Sequence, residues 1–544
     1  MFGQQKSAYM KTARTHLFAT VRKAFTLALR AEKLQTDTAE VIGQAREANR
    51  SRRRFLENMG KTVVASAIAP SFTLHPAKSW IAPFIGAAAP KIVIVGGGMA
   101  GLNALHHLKK HNLDATIYEA SGRTCGRIFT VKNVMGDVTW TEFGGEFIDT
   151  DHKDMWDLAH EFDLEPDMVD YFQDSEAALE AEAFFFEGKL RSLEEVVDEF
   201  RAFAPRMAED MERLPEFSEI NYLNKDPFVK KLDKTNLCKY LQKIGARGWI
   251  RKFIENAYES EYGLSPKVQS SLNLTVLISP ETEDGHIALF GSSDERYKVR
   301  GGNQRIPDAL AQKYASHINL NRSLESLRND GTGYKLHFSG MSEDVKADYV
   351  ILALPFTKLR QVDFPIEMPA IKRDSINKLG FGTNAKLMLG MKSHFWRKQG
   401  YTGLVYGDNG IPNGWDNAQL QNRDNETAGL SILFGGPSGV KLGEGTPESQ
   451  RDKYLPKWER IYKGATEQHN GKVARMHWPS QPFTLCSYVC PTVGQYTSLI
   501  GAERLPVGNI LFAGEHCGGD SAGFMNGAAW SGREAAEEIL RRVD

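Results

Sequence analysis

The sequence predicts an α/β fold in which a parallel-sheet, dinucleotide-binding domain is interleaved with a mixed-sheet domain and a helical insertion. Three observations predict it. The β-branched run Ile92-Val-Ile-Val95 passes straight into Gly96-x-Gly98-x-x-Gly101 and a helix-like stretch, and a second strand, Ala115-Thr-Ile-Tyr118, ends at Glu119. Apolar runs without polar alternation, the pattern of central parallel strands, return far along the chain over 346–355 and 509–513. From 151 to about 280 the apolar spacing is helical and the composition acidic.

Taken in order, residues 1–90 form an N-terminal extension. Leu17, Val21, Phe25 and Ala28 recur at helical spacing in its basic first half. Ser51-Arg52-Arg53-Arg54-Phe55-Leu56, an apolar stretch over 62–69 and Gly86-Ala-Ala-Ala-Pro90 together resemble a twin-arginine export signal. The apolar stretch is too short to span a bilayer, so no stable membrane span is expected. Fifty residues precede the signal, which leaves two readings open: a start site further downstream, or an extension with contacts of its own. A working signal places the folded protein in the periplasm or outside the cell; a non-functional one leaves it in the cytoplasm.

The dinucleotide-binding domain comprises 91–150, 296–355 and 505–544. Within it, 139–149 reads as a strand interrupted by Gly144-Gly145, a pair that marks a close backbone approach. Arg300-Gly301-Gly302-Asn303 opens a helix, 318–338 gives two or three short strands, and 523–542 is a closing helix. The helical insertion occupies 151–295. The mixed-sheet, substrate-binding domain occupies 356–504.

Composition removes several functions. The 67 basic and 68 acidic residues nearly cancel, and no basic stripe supports nucleic-acid binding. Cys125, Cys238, Cys486, Cys490 and Cys517 are odd in number and lack metal-ligand spacing, so neither a disulfide scaffold nor a metal site is expected. His107 and His111 lie one helical turn apart without a third ligand and read as a helix face.

The glycine turn has a physical logic. Gly96 permits the sharp strand-to-helix turn, Gly98 lets the backbone approach a pyrophosphate, and Gly101 lets helix and strand pack closely. The helix then opens at Met99 and Ala100 with free N–H groups for the phosphate charge, and Glu119 accepts hydrogen bonds from a ribose.

Further motifs follow in a fixed order: Arg123-x-x-Gly126-Arg127, Gly144-Gly145-Glu146-Phe147, Tyr297-x-x-Arg300-Gly301-Gly302-Asn303, and Gly514-Glu515 with Gly523-Phe524-Met525-x-Gly527. With these, the chain from about residue 90 onward resembles the flavin-containing amine oxidases, the branch that includes monoamine, polyamine and L-amino-acid oxidases. The resemblance implies a Rossmann-like FAD-binding domain. It assigns Arg123 and Arg127 to the pyrophosphate and ribityl chain, Glu515 to the ribityl or phosphate end, and backbone groups at Leu324 to the adenine. Gly144, Gly145, Glu146 and Phe147 belong to the same cofactor site. The helix opening at Gly523, Phe524 and Met525 is implied to face the pyrimidine side of the isoalloxazine, where its dipole favours the reduced flavin.

The resemblance also implies catalytic roles. Lys386 matches the family lysine that holds a water against the flavin's reactive nitrogen and promotes reaction with oxygen. Tyr488 and Phe524 match the aromatic pair that sandwiches the substrate amine, and Trp478 a tryptophan beside the ring. Two departures stand out. Ser487 occupies the position where some relatives carry a flavin-bonded cysteine, so FAD is expected to be non-covalent. Phe147 stands where animal-type L-amino-acid oxidases have a carboxylate-reading arginine, leaving Arg296, Arg300 or Tyr488 as candidate replacements. The phrasing around Gly144 and Glu295 nevertheless resembles bacterial L-amino-acid oxidases. The resulting expectation is oxidative deamination of an L-amino acid to a 2-oxo acid, ammonia and hydrogen peroxide, with oxygen as co-substrate. A primary-amine or polyamine oxidase, a flavin monooxygenase giving amides, and a non-catalytic binding module of the same fold are the alternatives, and the resemblance is compatible with a homodimer.

Overall fold

The computed structural model describes residues 16–45, 89–171, 180–275, 295–421 and 427–543. The arginine-rich run, the apolar stretch over 62–69 and most of the small-residue zone lie outside these residues.

Five strands form a parallel sheet in the order Ile510–Phe512, Tyr349–Leu352, Ile92–Val95, Ala115–Tyr118, Ile318–Asn319. Its members come from three distant pieces of chain, as the apolar runs predicted. Each strand is short, and the central one is buried at all four positions, so the sheet needs cover on both faces. Helices Met99–Lys110 and Met525–Val543 pack on one face. A three-stranded antiparallel sheet, Leu324–Asn329, Tyr334–Phe338 and Val345–Ala347, covers the other.

A seven-stranded mixed sheet forms the second body. Its order is His469–His477, Ala385–Met391, Ala428–Phe434, Asn413–Asp416, Tyr401–Gly407, Glu180–Phe186, Lys189–Arg191. The stretch expected to be a helical insertion therefore donates two strands to this sheet, Glu180–Phe186 and Lys189–Arg191. Glu180–Phe186 reads as helix by its Ala and Glu content, but pairing in parallel with Tyr401–Gly407 overrides that local preference. The rest of the insertion is mainly helical, with Leu193–Arg201, Ala204–Glu212 and Gly248–Tyr262 around one apolar cluster.

The N-terminal extension is part of this cluster. Helix His16–Leu34 packs against those three helices and buries Val21, Ala24, Phe25, Leu27 and Ala28. Its polar contacts reach two bodies. Arg201 Nε donates to Glu32 at 2.6 Å on the helical side, while Lys23 meets Glu182 at 3.2 Å and Thr20 Oγ1 donates to Tyr406 at 3.2 Å on the mixed sheet. The described residues 16–45 thus make contacts of their own with both bodies. No helix among the described residues is long and apolar enough to cross a membrane.

Candidate active site

A cavity of about 890 Å³ runs from the glycine turn to the mixed sheet. Gly96, Gly98, Met99, Ala100, Glu119, Arg123, Gly126 and Arg127 line its first half. Gly101 does not, because it faces inward: a Cβ there would lie 2.0 Å from the Gly96 carbonyl oxygen. The residues fit a dinucleotide on geometry alone. Helix Met99–Lys110 opens without a side-chain cap, which leaves its first N–H groups for an anion. A Cβ on Gly98 would touch Gly126 Cα at 3.8 Å, and one on Gly126 would lie 3.2 Å from Gly98 Cα, so two bare backbones pack on each other and form a wall of the cavity with no side chain in a ligand's way.

Side chains organise this half. Glu119 accepts from Gly97 N at 2.7 Å and from Ser121 N at 2.8 Å, which fixes its carboxylate at the end of the second strand. Arg123 lines the cavity, but its guanidinium donates to the carbonyls of Thr124 at 3.0 Å and Gly126 at 2.7 Å and lies 4.2 Å from the centre of the Phe129 ring. It braces the turn more than it reaches outward. Cys125 takes a left-handed conformation at φ 74°, a strained choice for a residue with a Cβ. Burial pushes its thiol pKa up to about 12. Arg127 donates to the Ser487 carbonyl and to Glu515 at 2.8 Å, and Glu515 in turn accepts from Val489 N at 3.2 Å. That chain of contacts ties the arginine to the strand-end glutamate. Leu324 lines the cavity beside Ser323 and Arg322.

The other half gathers the residues expected to carry chemistry. Gly144, Gly145, Glu146, Phe147, Gly523, Phe524 and Met525 line it, together with Trp478, Tyr488 and Lys386. Lys386 lies on Ala385–Met391, a strand buried at every position and paired on both edges. Its ammonium does not stand open for a water. It donates to Glu142 O at 3.1 Å, Gly144 O at 2.9 Å and the Glu146 carboxylate at 2.7 Å, three acceptors for three hydrogens. Glu146 also accepts from Lys298 at 2.7 Å and from Trp415 Nε1 at 2.8 Å. Burial works against its ionisation, but the two lysines outweigh it and hold the carboxyl pKa down at about 2. Tyr488 donates to Ser260 O at 3.0 Å, which fixes its ring. The far side of Phe524 belongs to a second cavity of about 270 Å³ that also meets Tyr262, His516 and Arg504.

The profile of the flavin-containing amine oxidoreductases matches residues 99–540. The chain belongs to that family. An amine oxidase of Danio rerio is 23% identical to it over 469 residues, 84% of this chain and 86% of the relative. An L-amino acid dehydrogenase of Synechocystis is 22% identical over 484 residues, 86% of this chain and 98% of the relative. Among solved structures, cyclohexylamine oxidase from Brevibacterium oxydans superposes with a TM-score of 0.70 at 19% identity, over 84% of this chain and all of the other. A flavin cofactor and an oxidoreductase role follow from the family.

Of the candidate replacements for a carboxylate-reading arginine, Tyr488 lines the cavity and the two arginines do not. Arg296 forms a two-pronged pair with Asp170 at 2.6 and 2.8 Å and does not line the cavity, nor does Arg300. Asp149 and Glu295 line the same region as Phe147, and burial raises the Glu295 carboxyl well above its ordinary pKa, with Glu261 and Asp149 adding to the effect. Asn384, Asn413, Trp415 and Leu433 also line the cavity and went unnoticed in the sequence. Each sits at an ordinary strand position or next to one, and only the pairing of the mixed sheet turns it toward the cavity. Lys298 was missed as well: it lies on Tyr297–Val299, in a separate two-stranded sheet with Met168–Asp170, and reaches Glu146 from there.

Proposed function

We propose that the protein oxidises the carbon–nitrogen bond of a small primary amine, using FAD held without a covalent bond. Bound FAD would accept a hydride, one proton with the two electrons of the C–H bond, from the carbon next to the amine, which leaves an iminium. The observation that carries this reading is the pairing of Tyr488 and Phe524 in one cavity with Lys386 and with a helix-opening glycine turn. Aromatic walls exclude water and favour the neutral amine over the ammonium form. Ser487, not a cysteine, lines the cavity, and its hydroxyl is engaged with Asn384 at 2.6 Å. Cys486 lies next door but is buried against Thr357 at 3.4 Å, which supports the non-covalent reading. The imine product hydrolyses to a carbonyl compound and ammonia, and oxygen as the final acceptor gives hydrogen peroxide.

An α-amino acid is the second reading, favoured by the relative named an L-amino acid dehydrogenase. The lining works against it. Among the described residues, the arginines of the cavity are Arg123, Arg127 and Arg322, all on the glycine-turn side, and Phe147 cannot pair with a carboxylate. A peroxide assay over simple primary amines, diamines and the twenty amino acids tests both readings, with a dye acceptor under nitrogen run in parallel. Peroxide with amines alone is the expected result. Turnover with amino acids only would establish the second reading, and dye reduction without peroxide would remove oxygen as the acceptor.

A further inference from the structure

The lysine that faces the proposed flavin site is not alone with its carboxylate. Glu146 Oε2 accepts from Lys386, while Oε1 accepts from Lys298 and from Trp415 Nε1. All three charged side chains are more than nine-tenths buried. Lys298 is held in place by two rings, its ammonium 4.2 Å from the centre of Phe147 and 4.9 Å from that of Tyr171. Two ammonium groups thus share one carboxylate, a buried trio with one net positive charge, beside the Glu142 carboxyl, whose pKa burial raises to about 7. Folding alone does not ask for this arrangement, since apolar side chains of similar volume often serve stability as well as a buried ion pair does. Its geometry also decides where Lys386 points, because with Glu142 O and Gly144 O taking the other two hydrogens the ammonium is fixed on three sides.

We propose that Glu146 and Lys298 are positioning residues that set, through Lys386, how strongly the site attracts electrons onto the flavin. Glu146 offsets part of the positive field of Lys386, and Lys298 draws part of Glu146 away from that task. This deepens the flavin reading above and rests on it. The reduced flavin carries negative charge, so a more positive surrounding favours reduction and a less positive one opposes it. Removing the charge of Glu146 leaves two ammonium groups unopposed. Removing Lys298 leaves Lys386 and Glu146 as a neutral pair. The two substitutions therefore act in opposite senses, which loss of packing does not produce.

The experiment is a redox titration of the purified FAD-bound protein at pH 6, without any amine present, for wild type, Glu146→Gln, Lys298→Met and Lys298→Arg. The midpoint potential is expected to move positive in Glu146→Gln and negative in Lys298→Met. Each shift corresponds to a change on the order of tenfold or more in the equilibrium constant for reduction, the size expected for one buried charge at an effective dielectric constant of about 20. Lys298→Arg, which keeps the charge, is expected to stay near wild type. Shifts of the same sign, or none in either variant, would overturn the proposal. If Glu146→Gln does not accumulate as folded protein, the contrast between Lys298→Met and Lys298→Arg decides the matter: equal potentials reject the charge argument. Purified wild-type protein that carries no flavin would reject the cofactor reading instead, a result visible as a missing yellow absorption before any titration begins.

Discussion

Substituting Lys386 by methionine keeps most of the side chain's length and removes a charge from a strand that has no exposed position. If the ammonium serves the oxygen step, the variant should slow flavin reoxidation by about 10²-fold while changing amine-driven reduction much less, since one preorganised charge at a reacting centre is worth that much. Rapid-mixing measurements of the two half-reactions give the answer, and equal slowing of both would end the assignment. Phe524 supplies a second test. It is the wall common to the two cavities, so Phe524→Ala should join them, raise KM for a small amine and admit bulkier ones. A substrate survey showing unchanged size preference would count against its role as a wall. Gly96, Gly98 and Glu119 were legible in the sequence because each type answers a demand that geometry cannot evade, glycine where backbones meet and an acid at a strand end, whereas Lys386, Tyr488 and Phe524 were named only through the resemblance to the amine oxidases. Trp415 and Lys298 were not legible. Lys298 falls on an unspecified position of the Tyr297-x-x-Arg300 motif and Trp415 in no motif, and their placement depends on which strand pairs with which.

At the scale of elements, helix His16–Leu34 is the part least expected to matter and the most readily tested. Phe25 is fully buried in the cluster it forms with Leu193–Arg201, Ala204–Glu212 and Gly248–Tyr262. Phe25→Ala should cost about 3–5 kcal/mol, the range for an aromatic side chain removed from a packed core. A clear fall in melting temperature is the expected result, and an unchanged one would mean the helix does not stay docked in solution. Its amphipathic spacing was visible beforehand, but a period of 3.6 says only that one face is apolar and not what covers it. The strand Glu180–Phe186 shows the opposite difficulty. Glu-Ala-Glu-Ala favours helix locally, and a partner more than two hundred residues away in Tyr401–Gly407 decides otherwise.

Across the whole molecule, the parallel sheet was legible because its strands are short, apolar and separated by long crossovers, while the mixed sheet was not, since alternation there is blurred by burial at every position of Ala385–Met391 and Ala428–Phe434. Global stability should carry a signature from one buried cation. Lys372 donates to Glu503 O at 2.6 Å and lies 3.3 Å from the centre of the Phe512 ring, and burial lowers its pKa from 10.5 to about 7. A lysine whose folded pKa is depressed penalises the fold fully below pH 7, and the penalty fades as pH rises toward 10.5. Lys372→Met should therefore raise the melting temperature at pH 6 and lose that advantage by about pH 10, relative to wild type in the same buffers. A gain that is the same at both pH values would show that packing, not charge, is responsible.

The segment 16–45 lies across the helical body and one edge of the mixed sheet, so its attachment does not depend on the peptide chain that leads away from it. A protease that nicked the polypeptide beyond residue 45 would sever the link while the short piece stayed lodged in its groove, as a subunit. Such a two-piece protein would look intact on a sizing column and fall apart only in denaturant. Its heat resistance would then rise with protein concentration, as for any complex held together by mass action.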